Sequence, residues 1–320
     1  MKQYLIRRLL VAVPVLILVA IGAFSLIRIL PGDAVLNLVG ESGLLSPSQT
    51  DKIREELGLD QSYVPAFISW VGGIFTGDLG DSLITGRTVA SEITRAIPVT
   101  LQLAIMAMLI TMLIAIPIGV MSAIRQDSIL DYAGRLISIS GLSVPDFLAG
   151  TLVLVFVGLW LKWAPPVVFT PFFDAPAENL KGMFIPAAII GFRFSSTSMR
   201  MIRSTMLEVL REDYVRTAWA KGLRERSVIT RHAMKNAFIP VITILGTEFS
   251  YLLGGAVVVE SIFNLPGLGS LTLGAITARD YPVVQAAVLL FATVIVFMNL
   301  IVDLSYAWFD PRIRFTAREA

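Results

Sequence analysis

Apolar residues in this chain fall in long uninterrupted runs. Leu9 to Ile27 is uncharged and follows Lys2, Arg7 and Arg8. A second uncharged run lies within Ala96 to Ile124 and contains Pro98 and Pro117, and a third extends from about Leu136 to Leu161, with a kink expected at Pro145. Further runs cover about Gly182 to Arg200, Pro240 to Val259 and Val283 to Tyr306. A helix rises about 1.5 Å per residue, so roughly 20 apolar residues cross a hydrocarbon layer of about 30 Å. The pattern predicts an all-α polytopic membrane protein with six transmembrane helices. The first run has the basic flank of a signal peptide, but it is longer than a secretory core and no cleavage site follows, so it reads as a retained span.

Two polar segments interrupt the pattern. Residues 31–97 predict an extracytoplasmic helical segment. Ser46-Pro47-Ser48-Gln49 combines an N-cap, a proline at the first helical position and a capping-box glutamine, opening a helix that Gly58 ends. A second apolar-periodic piece runs from about Ser62 to Phe75, Gly77 to Ser82 is rich in turn residues, and Val89 to Ile97 leads into the second span. The other polar segment, 206–239, is the most charged part of the chain. Leu207, Leu210, Tyr214, Ala218 and Lys221 recur at helical spacing, Gly222 supplies a stop, and a second helix is expected from about Glu225 to Lys235. Ala218, Ala220 and Gly222 predict a small-residue face that a partner surface can approach closely. The chain therefore divides into 1–30, a short inner segment and the first span; 31–97, outside; and 98–320, the transmembrane core carrying the 206–239 loop.

Charge sets the orientation. Lys2, Arg7, Arg8, Arg125, Arg135, nine basic residues from Arg200 to Lys235, and Arg312, Arg314 and Arg318 make seventeen of twenty-six on one side, which the positive-inside rule assigns to the cytoplasm together with both termini. With 55% hydrophobic residues, 16% charged and a mean hydropathy of +0.76, the partner is a lipid bilayer. A net charge of +2 gives no reason to expect nucleic acid. There is no cysteine and a single histidine, His232, which excludes disulfides, thiolate sites and a histidine-rich metal centre. No Gly-Lys dipeptide occurs, so the chain has no phosphate-cradling P-loop.

Three ionisable residues fall near the bilayer midplane in different spans: Asp146, Arg193 and Glu248. Ser195, Ser196, Thr197 and Ser198 add polarity beside them. A midplane charge is costly against lipid, so these residues either form a structural ion pair, Arg193 with one of the acids, or line a translocation path. On the second reading Arg193 meets a carboxylate and the remaining acid an amine, as a zwitterionic solute requires.

Asp213-Tyr214-Val215-Arg216-Thr217-Ala218, Ala220-Lys221-Gly222-Leu223, Arg231-His232-Ala233 and Asn236-Ala237 through Ile239-Pro240 resemble the cytoplasmic signature of permease subunits of ABC importers, in the dipeptide/oligopeptide (nickel/glutathione-like) branch. Leu30-Pro31-Gly32-Asp33, Leu57-Gly58-Leu59-Asp60, Glu260-Ser261-Ile262-Phe263, Pro266-Gly267-Leu268-Gly269, Arg279-Asp280-Tyr281-Pro282 and Asp310-Pro311-Arg312-Ile313-Arg314 extend the resemblance over most of the chain. It implies type I importer architecture in a bacterial or archaeal plasma (inner) membrane. It also implies a second homologous permease subunit, two ATP-binding subunits that hold ATP and Mg, and an extracytoplasmic substrate-binding protein. No cofactor and no catalytic residue are expected in this chain itself. By the same resemblance Asp213, Arg216, Thr217, Ala218, Lys221, Gly222, Arg231 and His232 couple the subunit to the ATPase. Such relatives are associated with dipeptides, oligopeptides, glutathione, nickel chelates and some sugars, so the cargo stays open. The alternative is an ion-coupled secondary transporter, which commonly shows an inverted repeat that is not seen here. An intramembrane enzyme lacks its nucleophile, since no Cys or His lies in the spans.

Overall fold

A computed structural model describes residues 2–29, 54, 59–166, 168–254 and 256–309. The expected helix opening at Ser46, the motif at Leu30 and the terminal motif at Asp310 lie outside these residues. The described chain forms α1 (Lys2–Ile29), α2 (Tyr63–Thr76), α3 (Val89–Ile124), α4 (Ile129–Ser143), α5 (Asp146–Leu161), α6 (Pro176–Leu210), α7 (Asp213–Ala220), α8 (Glu225–Leu253), α9 (Val257–Ile262), α10 (Leu268–Ala278) and α11 (Tyr281–Phe309). The only β feature among the described residues is a bridge between Asp81 and Thr88.

The centre of the bundle is the α3–α6 pair, each helix roughly 50 Å long at 1.5 Å per residue. Their backbones touch closely at two glycines. A Cβ on Gly119 would lie 2.9 Å from the Cβ of Ile202, and one on Gly191 would lie 2.8 Å from the carbonyl oxygen of Ala107. Leu103, Ala107, Met183, Ala187 and Ile190 fill the seam on the outer side, and Ala115, Met199, Ile202 and Met206 fill it on the inner side. Helices α4, α5, α8 and α9 pack around α6, while α1 packs on α11 and is tied to it by Arg8 and Asp303 at 3.0 Å.

Four helices, α1, α3, α8 and α11, are long and apolar enough to cross a membrane, and the α4–α5 pair makes a fifth crossing if it is one span. Helix α6 is long enough but too polar to pass on composition. Three expectations are corrected. The third span is not one kinked helix: α4 and α5 meet at 100°. Pro145 forces Val144 out of helical geometry, to φ −100° and ψ 118°, and then serves as the N-cap of α5. The second helix expected from Glu225 and the fifth span expected from Pro240 are not separate helices. Helix α8 runs from Glu225 through Pro240, with a π-helical stretch at Val228–Ala233, because one missing hydrogen bond is tolerated inside a packed helix. It ends at Leu253, ahead of the separate helix α9.

Helix α2 matches the apolar-periodic piece expected from Ser62, and Gly77 ends it at φ +83°. Phe24 of α1 sits against Tyr63, Phe67 and Trp70 with ring centroids 5.4 to 5.5 Å apart. The 77–88 turn is fastened to the start of α11 through Asp280, which accepts hydrogen bonds from the Ser82 hydroxyl and from the Leu83 amide at 3.2 Å.

Candidate functional site: the inner coupling segment and the midspan charges

After α6 ends, Arg211 and Glu212 turn the chain into α7. Val215 and Ala218 point inward and pack with Val228, Val209 and Leu210. This small core seats α7 against the start of α8. Ala218 therefore belongs to the packed side, which corrects the expected small-residue face; Ala220 and Gly222 stay exposed. The exposed face carries Asp213, Arg216, Thr217 and Lys221, with Arg231 exposed on α8 and His232 half-buried. Arg216 lies 3.5 Å from Asp213, and the Thr217 hydroxyl donates to the Asp213 carbonyl at 2.9 Å.

Gly222 terminates α7 as expected. Its φ is +73°, the Gly222 amide donates to the Trp219 carbonyl at 2.9 Å, and the Leu223 amide reaches back to the Ala218 carbonyl at 3.4 Å. This is the paired hydrogen-bond pattern that closes a helix through a left-handed residue. The polar tie to α8 comes from Tyr214, whose hydroxyl donates to the His232 carbonyl at 3.3 Å and accepts from the Asn236 amide at 2.7 Å. Helix α7 is thus capped at its end by Gly222 and held at its side to α8, and α8 continues without a break to Leu253.

The midspan residues separate into two groups. Arg193 donates to Asp146 at 2.9 Å, linking α6 to the first residue of α5, and the two side chains keep 38% and 28% of their surface exposed. Glu248 is not part of that pair. It is 7% exposed, its Oε2 accepts from the Ser198 hydroxyl at 2.9 Å, and its Oε1 has no hydrogen-bond partner among the described residues. Ser195 and Ser198 are fully buried, and Ser195 and Ser196 donate back to the Phe192 carbonyl. Glu248, Ser195 and Ser198 face the interior of the bundle, where serines let neighbouring helices pack closely. Of the three ionisable residues, Asp146 and Arg193 present surface and Glu248 does not. A cavity of about 1210 Å³ lies elsewhere, between the first half of α3 and the loop before α6, and is lined by Pro98, Leu101, Ile105, Phe169 and Phe172 beside the cation Arg95.

Two buried carboxylates were not singled out from sequence. Asp131, at the start of α4, is 0% exposed and bound by Arg203 of α6. Glu260 of α9 accepts from the Thr100 hydroxyl at 2.6 Å and from the Ser270 amide at 2.9 Å, and burial pushes its carboxyl above the usual carboxylate range. A Cβ on Gly269 would lie 2.9 Å from its Oε2, so the glycine in Pro266-Gly267-Leu268-Gly269 makes room for the acid. Asp131 four residues before Arg135 is the one sequence signal that pointed to an ionic cluster.

Residues 115–315 match the family described as binding-protein-dependent transport system inner membrane component, and residues 1–104 match the family of its N-terminal region. The chain is 40% identical over 315 residues to a putative peptide transport system permease protein of Brucella abortus, covering 98% of this chain and 100% of the relative. It is 38% identical over 335 residues to a dipeptide transport system permease protein of Alkalihalophilus pseudofirmus, with 98% and 100% covered. A probable peptide ABC transporter permease protein of Sinorhizobium fredii is 34% identical over 315 residues at the same coverage. The match over nearly its whole length makes the chain a member of the binding-protein-dependent inner membrane component family, a transmembrane permease subunit of an ABC importer with type I architecture.

Proposed function

We propose that this subunit pairs with a second, homologous permease subunit to form a translocation path for peptides or similar small solutes. Two separate ATP-binding subunits, which hold ATP and Mg, seat the exposed face of α7 and the first turns of α8 on the cytoplasmic side of a bacterial or archaeal plasma membrane. An extracytoplasmic binding protein delivers the solute to the outer side. The names of the relatives support the peptide class. The attachment of α7 to α8 carries the mechanism: Tyr214 and the Val215–Ala218–Val228 cluster fix α7 to a helix that continues to Leu253. His232 and Glu248 share α8, sixteen residues and roughly 24 Å apart. A displacement of α7 by closing ATPases therefore reaches midspan without crossing a loop, and the path alternates between inward-open and outward-open forms.

In this reading Asp146 and Arg193, the two midspan charges with exposed surface, face the path, and the apolar cavity is its vestibule. Asp213, Arg216, Thr217, Lys221, Arg231 and His232 form the docking face, with Gly222 and Ala218 holding its shape. Reconstitution of the full complex in vesicles tests the proposal. Uptake of peptide presented by the binding protein should require ATP hydrolysis and persist when ion gradients are collapsed with ionophores. Uptake that follows a proton or sodium gradient and ignores ATP would instead establish the ion-coupled alternative.

A further inference from the structure

The inner end of the bundle contains an ionic cluster outside the coupling segment and the midspan pair. The Asp131 carboxylate takes two hydrogen bonds from Arg203, at 2.7 Å from Nε and 2.8 Å from Nη2, one to each oxygen. Arg135, one turn along α4, also binds both oxygens, and it reaches Asp127 at 3.2 Å. The Ser122 hydroxyl of α3 and the backbone amide of Asp127 complete the shell. Two arginines against two aspartates leave the cluster neutral. The Asp131 side chain is wholly buried, whereas Arg203 keeps 20% of its surface.

The elements joined here are the end of α3, the α3–α4 turn, the start of α4, and the last turns of α6. Close packing supports the same junction. A Cβ on Gly134 would lie 3.1 Å from Ile118 and 3.2 Å from the Ser122 hydroxyl, and Gly119 meets Ile202, the neighbour of Arg203. Arg203 is seven residues before Leu210, where α6 gives way to α7, or roughly 10 Å along the helix. A side-on guanidinium–carboxylate pair fixes orientation as well as distance. The inner end of α6 is thereby locked to α3 and α4 next to the point where the chain enters α7.

We propose that Asp131 is a positioning residue for coupling. It holds the inner ends of α3, α4 and α6 as one block, so that a displacement of α7 moves α8 relative to that block instead of being absorbed by pivoting of α6. The proposal rests on the ATP-driven reading above. Without the lock, ATPases still bind α7 and still turn over, but less of each stroke reaches the path.

The test is the ratio of solute transported to ATP hydrolysed in the full reconstituted complex, for wild type, Asp131→Asn and Arg203→Lys. Asparagine keeps the shape of Asp131 but not its charge, and turns an amide towards two guanidinium groups; lysine keeps the charge of Arg203 but loses its two-point fork. The expected result is that Asp131→Asn hydrolyses ATP near the wild-type rate while transport per ATP falls by roughly three- to thirty-fold, the span for loss of a coupling link. Arg203→Lys should fall less. A merely structural role lowers hydrolysis and transport together and leaves the ratio unchanged, and that result in the variants, with a coupled wild type, would overturn the proposal alone. If Asp131→Asn does not assemble, the ratio for Arg203→Lys decides by the same criterion. A wild-type complex whose uptake is independent of ATP would overturn the functional reading instead.

Discussion

Gly222 allows a direct test of the coupling segment, because its surroundings isolate one physical effect. Its φ of +73° lies in the left-handed region, and no atom stands within 4 Å of where a Cβ would be. A substitution there meets no clash; what it costs is backbone conformation alone. For an L-residue that cost is about 1–2 kcal/mol, smaller for asparagine and larger for a β-branched side chain. Because the 222 position is exposed, insertion and packing of the spans should not change. If the capped form of α7 is the form that the ATPase binds, the cost appears as lost affinity. At about 1.4 kcal/mol per tenfold, Gly222→Val should weaken binding by roughly five- to thirty-fold and Gly222→Asn by only about twofold, with Gly222→Ala between them. Equilibrium binding of the ATP-binding subunits to the permease pair in lipid nanodiscs measures this. Wild-type affinity in Gly222→Val would refute the reasoning, and so would equal damage from valine and asparagine, since the order depends on left-handed preference.

Other expectations follow from the charges and the topology. Thr88→Cys should react with an impermeant thiol reagent in intact cells and Ala220→Cys only after permeabilisation; because the chain has no cysteine of its own, any label reports the introduced site. Arg193→Gln should assemble normally and lose most transport, whereas failure to assemble would mark the Asp146 pair as structural. Glu248→Gln keeps an acceptor for Ser198 and replaces a buried, half-partnered carboxyl with a neutral amide, so thermal stability of the purified subunit should hold or rise by about 1 kcal/mol, and a clear fall would refute this. Glu260→Ala strands the Thr100 hydroxyl and the Ser270 amide and should destabilise by about 2–4 kcal/mol, read as a lower melting temperature. An unchanged melting temperature would mean that the turn between α9 and α10 holds without the acid.

What the sequence revealed were features set by neighbours along the chain. The apolar runs of α1, α3 and α11, the turn-rich stretch from Gly77, the terminator Gly222 and the period of α2 each depend on a few adjacent residues, and each is found where it was expected. Distances across the fold were not legible. Asp131 and Arg203 are 72 residues apart, and Thr100 and Glu260 are 160 apart. A proline could be read as a kink, but not as how much of one. Pro145 ends a helix and turns the chain by 100°, whereas Pro240 sits inside a helix that continues through it.

Helix α6 shows why polarity along a chain misleads in such a fold. Averaged hydropathy treats every side chain as if it faced lipid, and on that basis α6 fails as a span. Several of its polar side chains face protein instead: Ser195, Ser196 and Ser198 are fully buried, the Ser198 hydroxyl donates to Glu248 at 2.9 Å, and Arg203 binds Asp131 at 2.7 Å. Its two paired arginines, Arg193 and Arg203, are ten residues and roughly 15 Å apart along the axis. Each holds one half of the bent pair, Arg193 through Asp146 at the start of α5 and Arg203 through Asp131 at the start of α4. The bend at Val144 and Pro145 lies between those two attachments. Any change in the angle between α4 and α5 must therefore strain or break one of the pairs. The buried one, with both oxygens bound to both arginines of its cluster, is the harder to break. Opening at the bend should then begin at Asp146 and Arg193, the exposed pair, while Asp131 holds α4 in place.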